Sequence, residues 1–131
     1  MILLDTSAVV ALAADNDPEH ARAIAHMERA GRDGEELLVH SYIVVETVAV
    51  LQRRLGNAAV LAFLDEVPRF VLHWVTPEDH EDAVALFRER ARRRLSLVDC
   101  TSFVVMRRYG ITQAFTFDGD FEPEGFALYG G

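Results

Sequence analysis

Four acids stand apart from the charged surface of this 131-residue chain, and their type and spacing could do chemistry. Asp5 follows the apolar run Ile2-Leu3-Leu4 at the carboxyl end of an expected strand, and Asp118 repeats that placement after Ala114 to Phe117. Glu46 is the only charged residue between Ser41 and Arg53, with Tyr42, Ile43, Ala49 and Val50 as its neighbours on a helix. Asp99 stands alone between Arg94 and Arg107, flanked by Leu97, Val98, Phe103 and Val104. Singly, three of them have ordinary explanations. Asp5 suits a helix N-cap, Ser96 and Asp99 have capping-box spacing, and Asp118 before Gly119 suits a turn. Glu46 resists. An unpaired carboxylate on an apolar helix must bind a proton at a cost, reach solvent or hold a cation, and the last two readings stand level. Taken together, two acids beyond strand ends and two in early helical turns converge on one edge of a parallel sheet. Carboxylates so gathered repel one another unless a hard cation compensates, and oxygen-only ligands suit Mg²⁺ or Mn²⁺. That outlines a metal-assisted phosphodiesterase site.

The elements that must position these acids follow from periodicity and punctuation. Met1 to Asp5 reads as a buried strand, and Thr6 or Ser7 caps a helix through Val9, Val10 and Leu12. Pro18 opens a helix through His26 and Met27 that ends by Gly31. Leu37 to Val39 is a strand, Ser41 caps a helix to Leu55 stopped by Gly56, and a further helix covers Ala58 to Val67. Val71 to Val75 is the next strand, and Thr76, Pro77 and Asp79 open a helix that ends in the arginine run. Ser96 starts a helix reaching Tyr109 and closed by Gly110, and Ala114 to Phe117 and Phe126 to Tyr129 are short terminal strands. Strands alternating with helices predict an α/β fold, a three-layer α/β/α sandwich around a largely parallel sheet. Sites in such sheets form at the carboxyl ends of strands. No linker or repeat divides residues 1–131, so one domain is expected.

With the acids and elements in place, the sequence resembles the PIN-domain ribonucleases along nearly its whole length. The resemblance rests on order and spacing. Apolar residues lead into Asp5-Thr6-Ser7; Ser41 and Glu46 open a long helix with Arg53-Arg54 near its end; Asp99 follows Ser96-Leu97-Val98; and Thr116-Phe117-Asp118-Gly119-Asp120-Phe121 closes the set. It implies a PIN-like fold and an acidic quartet of Asp5, Glu46, Asp99 and Asp118 that binds Mg²⁺ or Mn²⁺ and hydrolyses RNA. Thr6, Ser7 and Thr116 would orient a carboxylate or water. Asp120 stands where related proteins often carry another polar residue; it could assist the metal or cap the turn, and the turn is favoured. The small size resembles the toxin half of VapBC-type toxin-antitoxin pairs, which implies an RNA substrate, a cognate antitoxin protein and a homodimer.

Composition limits the alternatives. The formal charge of −8 argues weakly against nucleic acid, since two divalent cations would bring it to about −4 and invert the field where they sit. All basic side chains are arginine, and most of them cluster at Arg53 and Arg54, Arg88 to Arg94, and Arg107 and Arg108. The central run could track phosphates or merely suit the dipole of a solvated helix end, and the latter is favoured. Cys100 has no disulfide partner, Met1 leads into no basic leader region, and no apolar run is long enough to span a membrane, so a cytoplasmic location without membrane contact is expected. The five histidines form no catalytic pattern. Nucleotide-binding glycine loops and the lysine of a receiver domain are missing. The rival function is a catalytically silent module binding RNA or protein, which four acids at one edge disfavour. The apolar faces Val9, Leu12, Ala13 and Val60, Phe63, Leu64 serve the core first and an interface second.

Overall fold

The computed structural model describes all residues, 1–131. Five short strands, β1 (Ile2–Leu4), β2 (Leu37–His40), β3 (Val71–His73), β4 (Gln113–Phe115) and β5 (Ala127–Leu128), form one sheet in the order β3-β2-β1-β4-β5, and every pair is parallel. Six helices connect them: α1 (Thr6–Ala13), α2 (His20–Arg32), α3 (Ser41–Leu55), α4 (Asn57–Glu66), α5 (Pro77–Glu89) and α6 (Leu97–Tyr109). Parallel strands cannot be joined by hairpins, so the first three connections each carry two helices across a face of the sheet, while β4 reaches the edge strand β5 through a loop with one short 3-10 turn.

The register assigns the layers. Leu4 pairs with Phe115, so both point to one face, where α1, α2 and α4 lie: His26 of α2 meets the Phe115 ring at 5.8 Å, and Leu4 borders Val9, Met27 and Phe63. Leu38 and His40 pair with Val71 and His73 on the opposite face, where α5 and α6 lie; His40 bonds Ser102 at 2.8 Å and His73 bonds Asp79 at 2.7 Å. The chain steps from β1 outward to β3, then crosses back to β4 on the other side of β1. Right-handed crossovers in opposite directions must use opposite faces, which yields the expected three layers. The strand order therefore reverses at β1, and a crevice opens at its carboxyl end.

Several boundaries differ from the sequence reading, each for an identifiable reason. β4 ends at Phe115, because the next backbone N–H groups, of Phe117 and Asp118, donate to the hydroxyls of Ser7 and Thr116 and not to a neighbouring strand. β3 stops at His73, and the Val75 N–H donates to the Ser41 hydroxyl at 2.9 Å. Ser41 is thus occupied elsewhere, and the N-cap of α3 is His40, whose Nδ1 accepts from the Ile43 N–H. The second helix starts at His20, after a turn in which Asp17 accepts from the Glu19 N–H, and it runs through Gly31 to Arg32. Gly34, at φ +67°, supplies the left-handed residue there. The Thr76–Asp79 capping box forms as expected, and Gly56 and Gly110 end their helices at positive φ.

The core packs Leu3, Leu4, Leu38, Ile43, Phe103 and Phe115 at the sheet, and Phe121 and Phe126 extend it under the last loop. Phe121 is fully buried and meets the edge of Phe103 with ring centroids 5.0 Å apart. Phe121→Ala is expected to cost about 3–5 kcal/mol through lost burial and a residual cavity, read from the midpoint of urea unfolding.

Candidate active site

Asp5 leaves β1 at its carboxyl end and occupies the N-cap position of α1, yet its side chain makes no capping hydrogen bond. Its Oδ2 instead accepts from the Thr116 hydroxyl at 2.8 Å and the Ser7 hydroxyl at 3.0 Å. Proton counting fixes the direction of these bonds. Each hydroxyl has one hydrogen; with both given to Asp5, the 3.0 Å contact between the Ser7 and Thr116 oxygens carries no proton, and those oxygens accept the backbone N–H groups of Phe117 and Asp118. Asp5 Oδ1 takes no hydroxyl donor, and the backbone N–H groups of Thr6 and Ser7 act on the carboxylate beside these two hydroxyls. Ser7 and Thr116 thus lie where the sequence reading expects supporting polar residues. Thr6 accepts from the buried Thr47 hydroxyl at 3.2 Å, which leaves its own proton free to face Glu46.

Glu46 sits in the second turn of α3, and Asp99 in the first turn of α6, where the Ser96 hydroxyl accepts the Asp99 N–H. Asp118 follows β4 and accepts from the Asp120 N–H at 2.9 Å. Asp5, Glu46, Asp99 and Asp118 all open onto one cleft of about 410 Å³, so the expected quartet converges. Asp120, read from sequence as a turn residue, also presents its carboxylate: ligand oxygens of Asp99, Asp118 and Asp120 lie within 4.8 Å of one another. The sequence reading did not single out Asp17, Glu19, Val50 and Ser96 as cleft residues, and it noted Arg54 only beside Arg53 near a helix end. Asp17 and Glu19 belong to the turn before α2, and only the three-dimensional approach of that turn to the sheet edge reveals their place.

The electrostatics are those of an uncompensated acidic cluster. Burial raises the Asp5 carboxyl above the usual range, against the opposing effect of the Thr116 and Ser7 hydroxyls. Burial also raises Glu46, and the charges of Asp5 and Asp118 add to it. Asp99 rises to about 7, through burial first and then the Asp5 and Asp118 charges. Asp118 is raised as well, by burial and by Asp120 and Asp5 beside it. No arginine forms an ion pair with any of the four. An all-oxygen donor set with raised pKa values and no internal counter-charge fits a hard divalent cation, and offers nothing to a softer metal that selects nitrogen or sulfur.

The fold and this cleft are those of a PIN domain: the PIN domain family model matches residues 2–123, and the chain belongs to that family. Among curated proteins, the 23S rRNA-specific endonuclease VapC20 of Mycobacterium tuberculosis is 36% identical over 131 residues, covering 96% of this chain and 95% of the relative. The crystal structure of M. tuberculosis VapC20, described as a Sarcin-Ricin loop cleaving toxin, superposes with a TM-score of 0.87 at 32% identity, covering 97% of each chain. FitAcB from Neisseria gonorrhoeae shares the fold, with a TM-score of 0.69 at 17% identity over 98% of this chain and 96% of its own.

In the metal-free protein the Asp99 carboxyl carbon should titrate in NMR with a midpoint near 7. Asp118→Asn, by removing one of the charges that hold the proton on, should move that midpoint down; an unchanged midpoint would refute the coupling.

Proposed function

We propose that this chain is a Mg²⁺- or Mn²⁺-dependent endoribonuclease and the toxin half of a toxin-antitoxin pair, acting on an unstacked loop of structured RNA. The observation that carries the reading is the convergence of Asp5, Glu46, Asp99 and Asp118 on one cleft without an ion-pairing partner. These four residues would hold the cation, which when bound polarises a phosphodiester and lowers the pKa of a water that attacks it. The Ser7 and Thr116 hydroxyls fix the Asp5 carboxylate through Oδ2, and Arg54 places a positive charge on the cleft wall for the substrate's phosphate. The likeness to a 23S rRNA-specific endonuclease along nearly the full chain supports ribosomal RNA as the substrate class. An exposed loop presents unstacked bases and a reachable backbone, which an open cleft can accept and a continuous helix cannot.

Incubation of the protein with ribosomal RNA and Mn²⁺ should give discrete fragments, abolished by EDTA. Asp5→Asn and Asp99→Asn should each lower the cleavage rate by more than about 100-fold, since even outer-shell partners of a bound metal are worth about 10–100-fold. Undiminished cleavage by Asp99→Asn would sink the mechanism. RNA binding without cleavage in any metal would leave the silent binding module.

An antitoxin protein is the partner proposed for the groove of about 530 Å³ between α1, α2 and α4, lined by Leu4, Val9, Leu12, Met27, Phe63 and Phe70. Val9 and Phe63 bury most of their surface in the core, as the sequence reading favours, while Leu12 and Met27 keep part of theirs open to the groove. A homodimer is proposed alongside, supported by apolar surface at exposed Val45 on α3 and at Trp74 beyond the edge strand β3. Sedimentation of the chain alone should give twice the 14.7 kDa monomer mass. Leu12→Glu should weaken capture of the small protein encoded next to this gene by at least about tenfold while RNA cleavage persists. A monomer, or capture unaffected by Leu12→Glu, would refute the respective assignment. No helix is long and apolar enough to cross a membrane.

A further inference from the structure

The arginines from the last turn of α5 onward divide by what they touch. Arg88, Arg92 and Arg94 are exposed and form no ion pair, whereas Arg90 and Arg93 turn inward to Glu124 and are joined there by Arg107 from α6. Glu124 is buried, with a side chain only 3% exposed. Arg90 Nε donates to it at 2.9 Å and Arg107 at 3.1 Å, which already gives both carboxylate oxygens a charged donor. Burial alone would raise Glu124, but these arginines hold it down to about 2.

Arg93 is therefore not needed to neutralise Glu124, and its position has a second aspect. One guanidinium nitrogen contacts Glu124, and the other donates to the Asp120 carbonyl oxygen at 3.2 Å and lies 3.9 Å from Asp120 Oδ1. The last distance is electrostatic contact, beyond hydrogen-bond length, so Arg93 supplies counter-charge without consuming a lone pair of the Asp120 carboxylate. On its other side Asp120 is tied to the site through its N–H to Asp118, and its carboxylate faces those of Asp99 and Asp118. Three like charges within 4.8 Å would push the loop open if nothing held it. Phe121, buried next in sequence, and Glu124, clamped three residues later, fix the far end.

We infer that Arg93, anchored by Glu124, is a positioning residue that holds Asp120 beside Asp99 and Asp118 as an additional ligand for the cation. This rests on the metal site proposed above and extends its ligand set from four acids to five. Arg93 belongs to the run whose solvated-helix-end reading is favoured from sequence, and at this position the contacts do not support that reading.

The test is Mn²⁺ titration calorimetry on the full chain without RNA, with metal-free thermal unfolding as the folding control. Asp120→Asn should weaken Mn²⁺ binding by about tenfold or more, and Arg93→Gln by a similar factor, as for outer partners that orient ligands. Because the two act through one carboxylate, Arg93→Gln should cause little further loss in the Asp120→Asn background. Arg93→Lys, which keeps the charge, should recover part of the affinity. Asp120→Asn binding Mn²⁺ like the parent while Asp99→Asn does not would overturn the inference and leave the metal site standing. Fully additive losses would overturn it too, by showing that Arg93 acts elsewhere. A parent that binds no Mn²⁺ would overturn both readings. Should Arg93→Gln fail to fold, Asp120→Asn, whose side chain is partly exposed, decides alone.

Discussion

The Asp5 carboxylate at the reversal point of the sheet is the constraint on which the rest of the site depends. Burying a charge in a sheet costs several kcal/mol unless its oxygens are served. Here two hydroxyls, from Ser7 on α1 and Thr116 after β4, converge on Oδ2. The same hydroxyls accept the N–H groups of Phe117 and Asp118, so serving Asp5 also ends β4 and turns the chain back over the carboxyl edge. Asp118 and Asp120 reach the cleft because of that turn. One buried acid therefore organises a segment more than a hundred residues away in sequence, through four hydrogen bonds that run by way of its Oδ2.

Much of this was legible in sequence because two simple physical signals coincide with the elements. Apolar runs of three to four residues ending in Asp5 or His40 can only be buried strands, and the Thr76–Asp79 capping box and Gly56 and Gly110 stop signals give helix ends correctly. Glu46 was identifiable because an unpaired acid on an apolar helix has few explanations, and it does lie in the cleft. Other features were hidden because they depend on partners far along the chain. Thr116 and Phe117 read as strand by composition, yet the hydroxyl of Ser7 takes the N–H that a strand would use. Nothing near Glu124 announces that three arginines will meet it. Asp120 looked like a turn residue, and its N–H does close a turn on Asp118; its carboxylate is what composition could not place.

His40 shows the same limit from another side. Its apolar strand context suggests no role, but it is completely buried, accepts the Ile43 N–H at Nδ1 and is bonded through Nε2 to Ser102. That pattern requires the neutral tautomer protonated on Nε2, with Ser102 in turn donating to the Val98 carbonyl. Burial, together with the nearby His73, holds its pKa down to about 3, so the ring stays uncharged at ordinary pH. It joins the start of α3 to the start of α6, the two helices that carry Glu46 and Asp99. The relative placement of those acids thus depends on a neutral hydrogen-bonded contact below the site, one that their own mutual repulsion cannot disturb by titration.

A net charge of −8 and an RNA substrate are compatible once the arginines are sorted by partner. Arg90, Arg93, Arg107 and Arg108 are committed to buried or partly buried acids and add little to the outer field. Arg53, Arg54, Arg88, Arg92 and Arg94 have no ion pair, and they lie at the end of α3, in the last turn of α5 and along the α5–α6 connection. Arg54 lines the cleft itself, and Arg94 is two residues from Ser96, which also lines it. Arg54 thus sets unpaired positive charge on the wall of a negative interior. A phosphate entering such a cleft is attracted by Arg54 and repelled by the acids inside. In the proposed reaction, a cation in the acidic interior would offset that repulsion, so substrate entry and metal binding would be coupled by charge before any bond is broken.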